Sequence, residues 1–352
     1  MQYLGFGNGS DGSATLSGTD APIDSSCSGT AAATSLSATN ASFAAGKIIL
    51  IHQSRGTGVG SWEFNFIDSY VAGTITTQFP LVNTYTDSGN SQAQVLQLKE
   101  YSDVTISGTF TAKTWNGDVG GIIAFLCNGP TVVSGTLTAA ACGFAGGAGT
   151  NGGTAYCGEG EVGDTTPTSL NNGSGGGGGK DGSGEGSDGV AFMTDNTLAT
   201  RFVFGGGGGG CAGNGGTGGT GGRSGGIIFI HSNTFTVTGS VSVNGQNGTS
   251  RGAGGAGAGI IYIRCIDASI GTGLMTAAGG LGAAGNSGDD GGGGGAGATN
   301  ASGTTGQNGT NGTAGLIRIE SCAPITGSST PSAVTSDTGQ DWCQSFIHVH
   351  DN

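Results

Sequence analysis

The chain has 352 residues, of which 80 are glycine and 6 are proline, with 9% charged residues and a formal net charge of −13. So little proline excludes a collagen triple helix, which needs roughly 15–20% of it, and the acidic balance leaves no basic stripe to displace counterions from nucleic acid. A flexible tether would have no use for the 34% of apolar residues, which gather into short blocks.

No basic region or apolar run opens the chain, so it reads as having no secretory leader. No apolar block is long enough to span a membrane as a helix. Glycine is thin over the first 115 residues, where 47–53, 62–67, 73–77 and 94–98 carry the apolar and β-branched content of strands. We expect a small β module over 1–115, serving attachment or assembly.

From there two strand types recur. The first is Gly-Gly-Ile-Ile-Ala-Phe-Leu-Cys at 120–127, with copies at 225–232, 258–265 and 314–322. The second alternates β-branched residues with Thr and Ser at 104–112, 132–139 and 235–243, with a looser copy at 268–277. Gly108 and Gly135 are 27 residues apart, while Ile122, Ile227, Ile260 and Leu316 are separated by 105, 33 and 56. Such spacing predicts β-solenoid strands interrupted by glycine-rich insertions of unequal length, over 116–322.

The insertions have a period of three. Glycine stands at every third position over 143–152, 207–225, 279–297 and 303–315. Three residues per turn is the polyproline II geometry, whose backbone groups all point sideways. Glycine removes the Cβ that would keep such helices apart, and scarce proline leaves the N–H donors in place. The expectation is an all-β chain in which β-solenoid-like strands carry a polyglycine II helix bundle, with 323–352 as a tail strand.

Eight cysteines without a CxxC pair argue against zinc and for disulfides in an oxidising compartment. Candidate pairs are Cys142 with Cys157, flanking one glycine segment, Cys322 with Cys343, and Cys127 with Cys265, which share a repeat position. No metal site is expected. The clusters Glu159, Glu161, Asp164 and Asp181, Glu185, Asp188 keep no calcium-binding register, so they read as solvated loop charge, with calcium as the weaker alternative. His348 and His350 read as an alternating exposed pair. Paired strand carboxylates for glycosidase work are missing, and the chain is read as no enzyme.

One apolar stretch, 190–194 with 200–204, lies between glycine runs. It is either buried as a hairpin on the strand core or displayed as a contact surface, in which case Phe192, Met193, Arg201, Phe202 and Phe204 are the receptor-binding candidates.

The Gly-x-x segments at 143–152, 207–225, 279–297 and 303–315, beside a β-rich N-terminal module, resemble the distal adhesins of bacteriophage long tail fibres. That resemblance implies an attachment domain and a sandwich of polyglycine II helices whose loops recognise host outer-membrane proteins or glycans. The strand at 120–125 with Cys-Gly-Phe-Ala-Gly-Gly at 142–147 is also similar to glycine-rich surface or secreted proteins of bacteria. The expected function is thus a non-enzymatic extracellular or virion adhesin, bound to a cell-surface protein or glycan and assembled with fibre or neighbouring subunits. The alternatives are a self-assembling filament or surface-layer subunit and, behind it, an ice-binding protein, with Thr217 and Thr220 the hint of a flat array.

Overall fold

A computed structural model describes residues 5–163, 166–181, 186–190, 198, 201–213, 216–285, 291–296 and 308–336. These are all-β, with no helix among the described residues and therefore none long and apolar enough to cross a membrane.

Two short strands come first, β1 (Gly12–Thr15) and β2 (Gly18–Thr19). Six follow that close into a barrel: β3 (Ile23–Ser28), β4 (Ser35–Ala38), β5 (Ile48–Arg55), β6 (Trp62–Val71), β7 (Thr74–Thr77) and β8 (Gln92–Gln97). Their order around the barrel is β3-β4-β7-β6-β5-β8, antiparallel throughout. Ile49 and Ile51 point to the barrel interior with Leu36, Ile75 and Val95. Ile48 and Leu50 point out, into a second apolar cluster. Burial on both faces is why 48–51 reads as unbroken Ile and Leu where a one-sided strand would alternate.

The rest of the strands continue the pattern of β1 and β2. These are β9 (Lys99–Ile106), β10 (Thr109–Thr111), β11 (Ile122–Val133), β12 (Thr136–Thr138), β13 (Thr150–Asn151), β14 (Ala212–Gly213), β15 (Ile227–Val237), β16 (Ser240–Ser242), β17 (Ile260–Thr276), β18 (Leu316–Ser321), β19 (Thr326–Thr330) and β20 (Val334–Ser336). β13 and β14 pair only with each other. The others form one parallel sheet with two rows, β1-β9-β11-β15-β17-β18-β20 and β2-β10-β12-β16-β17-β19. The first 115 residues thus divide: the barrel spans 23–97, while 12–19 and 99–111 belong to the large sheet.

The register follows the repeats. Ile122 pairs Ile227, Ile227 pairs Ile260, and Ile260 pairs Leu316. Alternate side chains, Ile123, Phe125, Ile228, Ile230, Ile261 and Ile263, meet Leu137, Val241 and Met275 of the second row in a closed core. Each such burial contributes about 1.5–3 kcal/mol. Their neighbours Ile122, Ile227, Phe229 and Tyr262 face the other way and pack against the barrel.

The same register separates two cysteines. Cys127 pairs Ser232, and Ser232 pairs Cys265. A whole strand intervenes, so the two Cα atoms stand roughly 9–10 Å apart at ~4.8 Å per strand, beyond the ~7 Å a disulfide spans. Both are buried free thiols, and the expected Cys127–Cys265 bond does not form. Nor does Cys142–Cys157. The Cys142 thiol is free, with Sγ against the carbonyls of Ala112 and Ala140. The residue lying alongside Cys157 is Gly147, five positions further along. Cys322 is disulfide-bonded, and Cys343 lies outside the described residues.

Between the strands, glycine-rich segments join through their main chains. Along 205–211 the N–H donors rotate in a fixed order. Gly205, Gly208 and Cys211 bond the carbonyls of Gly225, Gly222 and Gly219; Gly206 and Gly209 bond Ala296 and Gly293; Gly207 and Gly210 bond Glu159 and Tyr156. The carbonyls accept with the same period. Gly206 and Gly209 accept from Gly257 and Gly254, Gly207 and Gly210 from Gly176 and Gly179, and Gly208 and Cys211 from Gly147 and Thr150. One seven-residue stretch therefore bonds six neighbouring segments.

Residues 254–259 repeat the scheme, donating in turn to Gly209, Thr310, Gln246, Gly206, Thr313 and Val243. At the glycines facing a neighbouring segment, a side chain would block this approach. A Cβ on Gly208, Gly209 or Gly210 would overlap the carbonyl oxygens of Gly254, Gly177 and Ala148 respectively.

Candidate functional site

The 198–204 segment is held by polar contacts before its rings pack. Phe202 N donates to Gly60 O (3.0 Å), Arg201 bridges Ser61 through the backbone, and Trp62 Nε1 donates to Leu198 O (3.1 Å). Gly60 sits at φ +81, and a side chain there would strike Arg201 and Val203, so the close approach needs glycine.

Phe202 then stacks on His52, with centroids 4.7 Å apart and planes 10° apart, and tilts against Trp62 at 5.0 Å. Phe204 sets its edge on Phe144 at 5.2 Å and lies 5.5 Å from Trp115. Both are buried, at 1% and 0% exposure. They weld the barrel to the outer face of the large sheet, so the receptor-contact role expected for Phe202 and Phe204 is corrected to a core role. The buried alternative is met at 202–204, which belong to no strand, whereas Val190 is exposed. Phe192 and Met193 lie outside the described residues.

His52 anchors this seam. Its Nε2 lies 2.8 Å from Phe202 O, which can only accept, so Nε2 carries the proton and Nδ1 accepts from Ser54 Oγ at 2.9 Å. Gln94 Nε2 donates to that hydroxyl (2.8 Å) and to Gly120 O (3.0 Å), while its Oε1 accepts from Gly120 N (2.9 Å). Burial pushes the imidazole down to about 4, so it is neutral at physiological pH.

Beside the seam Glu159 is almost fully enclosed. Its Oε1 accepts from Arg55 Nη1 and from Trp115 Nε1 (3.0 Å), and its Oε2 accepts from Ala145 N (3.0 Å). Glu161 is buried as well. Glu159 is therefore structural and Glu161 is enclosed, a correction to their reading as solvated loop charge. No group of three or more His, Cys, Asp or Glu that could hold a metal ion occurs among the described residues.

Of the three expected contact residues that are described, Arg201 reaches a surface. It lines a cleft of about 390 Å³ with Gly56, Thr57, Val59, Ser91 and Val162, closed further by Asn90, Gly58 and Glu161. The volume lies in the ~300–1,000 Å³ range of small-ligand sites. The turn that forms one wall is fixed by Thr57 N donating to Ser91 Oγ (3.0 Å) and Gly56 N to Glu161 O (2.7 Å). Val162 is 59% exposed, an apolar edge beside polar walls. The barrel's contribution went unread in the sequence; its signal is the run Gly-Thr-Gly-Val-Gly at 56–60, in the first 115 residues, where glycine is otherwise thin.

No protein-family model matches this chain, and no curated protein matches it.

Proposed function

We propose that the chain is a structural adhesin of the extracellular space or a virion surface. In this reading the two-row sheet is a β-solenoid and the glycine-rich segments a polyglycine II helix bundle. Together they hold a recognition cleft rigid against a cell-surface protein or glycan. The observation that carries the reading is the bonding of 205–211 to six neighbouring segments in threefold rotation. A bundle so connected converts the most flexible residue into a stiff support, with ~1 kcal/mol net per hydrogen bond offsetting the ~1–2 kcal/mol cost of ordering each backbone unit.

Recognition is assigned to the cleft around Arg201, whose guanidinium, Asn90, Ser91 and main-chain groups suit hydroxyl- and carboxylate-bearing ligands. The test is binding of labelled protein to candidate host cells and a glycan array, with and without calcium. Arg201→Ala and Val162→Asp should abolish binding while leaving the far-ultraviolet spectrum unchanged. Undiminished binding by both folded variants would remove the cleft from the reading.

A second reading, a self-assembling filament subunit, draws on the outer edges of β1 and β19, which carry no charged side chain to deter pairing. Concentration-dependent fibres from purified protein would favour it over the adhesin.

A further inference from the structure

Lysine is the only cation here whose nitrogen is a nucleophile once deprotonated, and the chain has four: Lys47, Lys99, Lys113 and Lys180. Lys47 and Lys99 share the partly exposed Asp11, each at 3.5 Å. Lys113 differs. Its Nζ lies 2.9 and 2.8 Å from the two oxygens of Asp24, whose side chain is 7% exposed.

Both ends of that contact are fixed independently. Asp24 is in β3 of the barrel, paired with Leu96. Lys113 follows β10 of the large sheet, with its carbonyl accepting from Gly121 N at 2.6 Å. A second acid is tied to the same strand: Asp20 N donates to Thr111 O (2.7 Å), two residues before Lys113 and four before Asp24 in its own segment.

We propose that Lys113 and Asp24 join autocatalytically in an isopeptide bond between Nζ and Cγ, with Asp20 relaying the proton. The ammonium first passes a proton to the Asp24 carboxylate, leaving a neutral amine beside a carboxylic acid. The amine lone pair attacks Cγ and the C–N bond forms. Asp20 takes a proton from the nitrogen and delivers it to the hydroxyl, which departs as water when the C–O bond breaks. One ammonium and one carboxylate become one amide and one water, so no oxidant, nucleotide or metal enters.

Three features favour the step. Preorganisation of amine and acid by separate hydrogen-bonded backbones replaces a bimolecular encounter. Burial, with the Asp24 charge adding to it, pushes the Asp20 carboxyl up to about 6, so near neutral pH it can both hold and release a proton. The Lys113 side chain remains 34% exposed, which gives the water a way out. The bond would tie the barrel's first strand to the large sheet covalently, where the other described cross-links between them are non-covalent.

The test is intact mass of the full chain, purified, reduced and held at neutral pH, followed by peptide mapping. The expected result is a mass lower by one water than the sequence demands, and a branched peptide joining Asp24 to Lys113. Lys113→Arg keeps the ion pair and should restore the full mass; Asp20→Asn keeps both reacting groups and should slow water loss at least tenfold. A wild-type chain at full sequence mass overturns the proposal. So does water loss without the branched peptide, the mark of a cyclic imide at one of the four Asp-Gly pairs, 11–12, 181–182, 188–189 or 290–291. Unchanged bond formation in Asp20→Asn overturns the relay.

Discussion

Arg55 and Glu159 form a buried ion pair, with side chains 14% and 5% exposed, that fastens the end of β5 in the barrel to the glycine-rich layer. Arg55 Nε also donates to Asn90 O at 3.0 Å, so the guanidinium serves two contacts at once. Arg55→Met would leave the Glu159 carboxylate enclosed without its cation. Such a half-broken buried pair costs about 3–5 kcal/mol. A matching drop in unfolding free energy by denaturant titration is expected for Arg55→Met, and a smaller one for Glu159→Gln, which can still accept from Trp115.

His52 sets an acid limit on the seam. Its folded value is depressed to about 4 from an ordinary 6.5 because burial disfavours the charged ring. The unfolded chain therefore binds a proton more readily, and the His52 contribution is complete above pH ~6.5 and lost as pH falls toward 4. The loss is on the order of 3 kcal/mol. Asp20 works in the opposite sense. Its folded value is raised from 3.8 to about 6, so its contribution is fully present below pH ~4 and declines as pH rises through that window. Stability measured from pH 7 to 4 in wild type and His52→Gln should differ in slope, the variant lacking the imidazole's acid-side decline.

The aromatic wedge predicts a folding defect. Phe204→Ala removes a ring in contact with Trp115, Phe144 and His52. A loss of about 3–5 kcal/mol is expected, as for other fully buried phenylalanines. Tm by calorimetry should fall sharply, whereas a variant of wild-type stability would return the ring to the surface.

Much of the sheet was legible because the strands repeat nearly residue for residue. Aligning Ile122, Ile227, Ile260 and Leu316 gives the pairing found, and 47–53, 62–67, 73–77 and 94–98 mark four barrel strands. Strands β1 to β4 escaped because Gly-Ser-Ala-Thr and Ser-Leu-Ser-Ala lack apolar runs. Shared repeat position suggested the Cys127–Cys265 bond, but position says nothing of how many strands intervene, and Ser232 lies between. Phe202 and Phe204 had no partners in view because His52, Trp62 and Trp115 are more than 80 residues away in sequence. Of the cleft, Arg201 was found, whereas Asn90, Ser91 and Val162 carry no pattern that marks them.

Glycine positions should divide sharply. Gly209→Ala places a Cβ against Gly177 O in a layer with no room to yield, and a loss of at least ~3 kcal/mol or failure to fold is expected. Gly108→Ala meets only the Ser17 side chain at 3.8 Å, an ordinary contact, and should stay within about 1 kcal/mol of wild type. Urea midpoints of the two variants check the contrast.

The most direct test is hydrogen exchange resolved to single amides across 205–211 and 254–259 in the intact chain. Donors bonded to neighbouring segments on every side should exchange only through global unfolding, with protection matching that of Ile228 and Ile261 in the sheet core. Exchange at near-random-coil rates in those glycines, while the strand amides stay protected, would contradict a rigid main-chain lattice.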